Sequence, residues 1–162
     1  MMTSRAAHGL SRLQRAALYG IAGVTTEVVF TALDALRRGG PGAGHRLEGH
    51  SYLWMLPIYG LSAALFEPVH HRLRERPAWQ RAAAYSAGIM TVEYMSGRTL
   101  RRVVGVIPWD YSAAGRLVIG GGATRLDYAP LWAIAGLGLE RIHEALLRVR
   151  IETPASTVLS TA

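Results

Sequence analysis

Residues 15–27 read RAALYGIAGVTTE, and residues 81–93 read RAAAYSAGIMTVE. Arg15/Arg81, Ala16/Ala82, Ala17/Ala83, Tyr19/Tyr85, Thr25/Thr91 and Glu27/Glu93 match at one offset. A looser second pair follows, in which Pro57, Glu67, His70 and Leu73 match Pro130, Glu140, His143 and Leu146. The chain therefore reads as a helical hairpin written twice, over residues 13–76 and 79–148. Each apolar stretch carries one glutamate. A carboxylate inside an apolar helix is costly, so four at matched positions point to function.

The surrounding composition sets this pattern in a membrane. Half the residues are hydrophobic and 18% are charged, against about 25% in an ordinary soluble domain. The net charge is +7, and all eighteen basic residues are Arg. They sit at the ends of apolar runs, as in Arg12/Arg15, Arg37/Arg38, Arg101/Arg102 and Arg148/Arg150. Flanking charge of this kind anchors helices to headgroups. No platform of interleaved aromatic and basic residues appears, which argues against nucleic acid as a partner. With no Cys, disulfides, thiolate metal sites and a cysteine nucleophile are excluded. Charge precedes the first apolar run, as in a signal peptide, but no cleavage site follows, so the run reads as a retained helix.

Four helices are expected, at about Leu13–Arg37, His50–Arg74, Trp79–Val104 and Ala129–Arg148. Each has about 20 to 25 residues, enough to cross ~30 Å of hydrocarbon. Pro57 is expected to kink the second. The fold expectation is all-α: a polytopic integral membrane four-helix bundle with a parallel hairpin repeat, residues 1–151 as one membrane domain, and a disordered tail over 152–162. Arginine is slightly in excess on the side holding both termini, which favours N-in, C-in topology.

Small residues share the glutamate faces: Gly20 and Gly23 with Glu27, Gly60, Ala63 and Ala64 with Glu67, Gly97 with Glu93, and Gly136 with Glu140. Small residues mark close helix contact in membranes, so the carboxylates should point inward. Arg98 and Arg101 are within reach of the Glu93 face. Glu67-Pro-Val-His70 and Glu140-Arg-Ile-His143 are both Glu-x-x-His, and the other two helices each add one Glu. That order matches the ligand set of a carboxylate-bridged di-iron or di-manganese bundle. The metal candidates are Glu27, Glu67, His70, Glu93, Glu140 and His143. Against this, histidines near helix ends are common, and a duplication copies a chance pair freely. Trp109-Asp110-Tyr111-Ser112 follows Pro108 and suits the lipid–water interface; Asp110 or Ser112 could cap a re-entrant helix. Gly120-Gly121-Gly122 lacks the Lys and Ser/Thr of a phosphate loop.

LYGIAGVTTEVVFTAL, WMLPIYG, VEYMSGRTLRR, PWDYS and LDYAPLWAIAGLGLE together resemble the transmembrane protein 229 family. They also resemble bacterial membrane proteins catalogued as ABC transporter permeases, "type IV". The resemblance covers about residues 14–148 and implies a polytopic helical protein of the bacterial inner membrane. It marks Glu27, Glu93, Tyr59, Trp109, Asp110, Tyr111 and Glu140 as shared positions and does not demand His70 or His143. The expected polar centre is Glu27, Glu67, Glu93, Glu140, Tyr59, Asp110 and Tyr111. Three functions follow as expectations. One is a permease-like or membrane-complex subunit, acting as a homo-oligomer or beside a transporter partner. The second is an intramembrane enzyme acting on a lipid or isoprenoid through carboxylates or metal. The third is a non-catalytic scaffold with Glu–Arg pairs between helices.

Overall fold

A computed structural model describes residues 6–39, 47–115 and 117–153. Four helical rods dominate it. The first, α1 (Arg12–Arg38), starts at a capping box in which Ser11 and Gln14 exchange side-chain-to-backbone bonds. It stops at Gly39, whose positive φ gives a left-handed cap after Arg37 and Arg38. The second rod is broken into α2 (Met55–Gly60) and α3 (Ser62–Leu73). α4 (Ala78–Val104) and α5 (Ala129–Arg148) complete the set. The first, third and fourth rods agree closely with the expected bounds.

The second rod differs in where it starts and where it breaks. Residues 47–54 are not helical and run beside α1 as an irregular segment. Thr31 there exchanges hydrogen bonds with the backbone of His50. Pro57 falls in the first turn of α2, where a missing N–H costs little. The discontinuity lies at Leu61 instead, and its N–H still reaches the carbonyls of Pro57 and Ile58. Pro68, inside α3, is the proline that removes an interior helical donor.

Two small antiparallel ribbons supplement the helices, so the fold is mainly rather than purely helical. β1 (Ala6–Gly9) pairs with β4 (Arg150–Thr153), with His8 opposite Ile151. The expected disordered tail is thus corrected at Glu152 and Thr153, which are strand residues; positions 154–162 lie outside the described residues. β2 (Val118–Ile119) and β3 (Thr124–Arg125) form a hairpin around Gly120-Gly121-Gly122, all at positive φ.

Packing follows the hairpins: α1 lies on α2 and α3, and α4 lies on α5. α3 also meets α4. The long connection after α4 folds back into the bundle. Ile107, Trp109, Ala123 and Thr124 are buried, with Met55 and Leu100 beside them. Trp109 is therefore not an interfacial residue. Its indole N–H donates to the Ala123 carbonyl at 2.9 Å, and Ala123 packs on Gly97 of α4.

Polar and charged residues are buried beside the apolar core, and many large apolar side chains are exposed. Glu93, Glu140, His143, Ser86 and Thr124 are buried, while Ile21, Leu33, Met95, Val103 and Ile134 are exposed. Among the described residues only α1 is both long and apolar enough to cross a membrane by composition, with mean hydropathy 1.5 over its best window. α4 is as long, but Arg81, Glu93, Arg98, Arg101 and Arg102 interrupt it.

Candidate functional site: two polar layers

The four glutamates point inward but do not meet. Glu27 and Glu93 lie twelve residues beyond Arg15 and Arg81 on their helices, about 18 Å at 1.5 Å per residue. Glu67 and Glu140 lie at the Arg15/Arg81 level. The interior thus has two polar layers, one near the chain ends and one reached by the connections at the opposite end.

In the first layer each carboxylate is held by an arginine. Arg15 of α1 grips Glu67 of α3 with Nε and Nη2, both at 2.7 Å. Arg81 of α4 grips Glu140 of α5 at 2.7 and 3.1 Å. The two-point geometry uses the planar fork of the guanidinium. A third arm of each arginine reaches the backbone five residues earlier, at Leu10 and Arg76. A tyrosine then completes each set. The Tyr19 hydroxyl lies 3.1 Å from Glu67 Oε1 and 2.6 Å from His143 Nδ1. The Tyr85 hydroxyl lies 2.8 Å from Glu140 Oε1 and 3.0 Å from His70 Nδ1.

The histidines are therefore exchanged between hairpins. His70, in the first hairpin, joins the Tyr85–Glu140 pair of the second, and His143 joins Tyr19–Glu67 of the first. The two rings are 5.3 Å apart, with Phe66 packed against both. A phenol has one proton and faces two acceptors here. Both contacts are satisfied when the phenol donates to the carboxylate and the imidazole Nδ1–H donates to the phenol oxygen.

In the second layer hydroxyl groups replace arginine. Glu27 Oε2 accepts from Ser51 at 2.8 Å and from Tyr59 at 3.0 Å. Glu93 accepts from Tyr111 at 3.0 Å and from Thr124. The buried indole N–H of Trp132 lies beside the Glu93 carboxylate without a well-formed hydrogen bond. Tyr59 and Tyr111 both pack against the core around Met55, Leu100 and Trp109, which puts the Glu27 and Glu93 sets at the same end of the bundle. Among the described residues neither carboxylate forms an ion pair. Arg101, expected near Glu93, donates instead to the Gly121 carbonyl at 2.9 Å.

The remaining expected centre residues separate. Tyr59 and Tyr111 join the second layer. Asp110 does not: it is exposed, and its carboxylate accepts from the Ser112 N–H at 2.8 Å. That backbone bond holds the Asp110 carboxyl below its ordinary range. It closes an Asx turn, and no helix follows for it to cap. Gly122 is needed beside it, because a Cβ there would stand 1.8 Å from Asp110 Oδ1.

The di-metal reading does not fit this geometry. Its six proposed ligands are split between layers, and each Glu-x-x-His motif sends its Glu and His to different clusters. Among the described residues no group of three or more His, Asp or Glu converges on a metal position. The Arg15 and Arg81 forks already occupy the first-layer carboxylates.

Six residues of the site escaped the sequence reading of the polar centre: Arg15, Tyr19, Ser51, Arg81, Tyr85 and Thr124. A signal for them existed. Arg15/Arg81 and Tyr19/Tyr85 are matched positions in the quoted pair. Ser51/Thr124 and Tyr59/Trp132 keep the spacing of Pro57/Pro130.

A lateral groove lies outside both layers, between the second rod and α4. It measures about 490 Å³, and Trp54, Ile58, Leu61, Leu65, Met95 and Leu100 line it. None of the four glutamates is among its walls.

Fold and site define a class: a small, mainly helical protein with exposed apolar side chains and buried ionisable groups. No protein-family model matches the chain, and no solved structure matches it.

Proposed function

We propose that this chain is a multi-pass integral membrane protein, a permease-like or membrane-complex subunit in which Glu27 and Glu93 bind and release a proton. The observation that carries this reading is the second layer: two carboxylates held by hydroxyl groups, neither of them in an ion pair among the described residues. A carboxylate in such a place takes up a proton or a cation. Glu67 and Glu140 serve as joints, since their charge is already met by Arg15 and Arg81.

Polar side chains inside and apolar ones outside support the membrane setting, because a bilayer rewards burial of polar groups. The twofold recurrence of Arg–Glu–Tyr–His supports the hairpin repeat and a pseudo-twofold axis along the membrane normal. The pairing of β1 with β4 supports both termini on one side, as N-in, C-in requires. The motif resemblance to the transmembrane protein 229 and "type IV" permease families supports the bacterial inner membrane as its location. The intramembrane-enzyme reading receives less support, since the lateral groove does not reach a carboxylate.

Carbodiimide labelling tests the proposal. The reagent modifies protonated carboxyls in apolar surroundings. In native membranes, peptide mass spectrometry should find more adduct on Glu27 and Glu93, held by hydroxyl groups, than on Glu67 and Glu140, held by guanidinium forks. Unmodified Glu27 and Glu93 would remove the proton-binding role. Adducts on all four alike would remove the division between layers.

A further inference from the structure

On α4 two arginines, Arg98 and Arg102, lie beside the residues that line the groove and outside its lining. Thr91, Met95 and Thr99 line the groove. Arg98 is three residues after Met95, and Arg102 is three after Thr99, so both share that helix face. Arg102 stands about 4.5 Å further along the axis than Thr99. Both are exposed, and neither makes a hydrogen bond or ion pair among the described residues. Their neighbour Arg101, by contrast, is spent on Gly121.

The groove lining is mostly apolar, with Thr91, Ser96, Thr99 and the Trp54 indole as its polar side chains. The Thr91 and Ser96 hydroxyls bond to carbonyls of their own helix, at Ala87 and Val92. Its 490 Å³ is roughly three times the ~150 Å³ that holds one benzene ring in a dry apolar cavity, so it has room for on the order of eighteen carbons. An apolar slot for one long chain, flanked on α4 by two arginines that make no hydrogen bond or ion pair among the described residues, complements an amphiphile with an anionic head.

We propose that this groove binds one acyl chain of an anionic phospholipid, with Arg98 and Arg102 on its phosphate. The planar fork of Arg suits phosphate oxygens, and the arginine stems cover the chain where it leaves the slot. The proposal rests on the membrane reading above but not on the proton-binding role. The ligand is a bound lipid, outside the two polar layers.

Native mass spectrometry of the detergent-purified protein tests it, with phosphatidylglycerol against phosphatidylcholine of the same chain length. The expected result is one phosphatidylglycerol retained with about tenfold preference, given the attraction of two arginines for an anionic headgroup. Arg98→Gln/Arg102→Gln should abolish the preference, and Ser96→Trp should lower retention of both lipids. Arg148→Gln, at the far end of the bundle, should leave the preference intact. Equal retention of the two lipids, or a preference that survives Arg98→Gln/Arg102→Gln, overturns the proposal. So does a dimer that forms only when lipid is absent and is broken by Ser96→Trp, since the groove would then belong to a second copy. Carbonate extraction of the same membranes separates the premises. Protein released into the aqueous phase fails the membrane reading and the lipid site together, whereas protein retained with no lipid preference fails the lipid site alone.

Discussion

Arg15 and Glu67 show most directly how single residues act here. The side chains are largely buried, at 16% and 12% exposure. Removing one partner strands the other charge, which costs roughly 3–5 kcal/mol for a buried pair. Arg15→Leu should therefore lower the detergent melting temperature sharply, while Arg15→Leu/Glu67→Leu should recover much of the loss. A double variant no more stable than the single one would mean that the arginine contributes through packing alone. Tyr19→Phe should cost less, about 1–3 kcal/mol, because it leaves Arg15 in place but leaves Glu67 and His143 each short of a partner. At this scale the glutamates were legible because an acid in an apolar run is conspicuous. Their partners were not, because Tyr19 and Ser51 are ordinary residues until a fold brings a carboxylate to them. The Glu-x-x-His motifs misled for a related reason. Helical spacing puts Glu67 and His70 near each other along α3, but neighbouring helices decide which partner each one meets.

Among the elements, glycine contacts decide how closely the helices pack. A Cβ on Gly136 would lie 2.4 Å from Tyr85 Cβ, and one on Gly23 would lie 2.3 Å from the Tyr59 ring. Gly136→Leu should push α5 from α4 and loosen the Tyr85–Glu140 contact, which would appear as lost thermal stability and easier proteolysis. Gly88 provides the contrast, since nothing lies within 4 Å of a Cβ there. Gly88→Ala should stabilise α4 by up to about 1 kcal/mol through helix propensity. If both substitutions had the same sign, the close α4–α5 approach would be wrong. Three helices were readable almost to the residue, because apolar runs bounded by arginine, glycine and proline leave little freedom. The second rod was not. The apolar sequence of residues 50–74 gives no sign that Thr31 captures the backbone at His50 and delays the helix to Met55. The infolding of the connection after α4 was also hidden, since Trp109 and Tyr111 suit a lipid interface as well as they suit a buried contact with Ala123 and Glu93.

For the whole molecule, the two ends differ. The β1–β4 ribbon and the arginine-held layer lie at one end, and the infolded connection lies at the other. The absence of Cys makes this simple to test in cells. His8→Cys and Ile151→Cys should react with an impermeant maleimide from one side of the membrane, and Ala114→Cys from the other. Reactivity of all three from one side would contradict a four-span arrangement. Sequence alone determined the helical class and the inward glutamates, because each depends on local periodicity and on the cost of charge in apolar surroundings. Tertiary structure decided that the four acids form two layers, that arginine neutralises one layer and hydroxyl groups serve the other, and that the histidines are exchanged between hairpins. Those outcomes depend on which residues meet across helices. That is set by the stagger and rotation of packed rods, which no residue spacing within one helix contains.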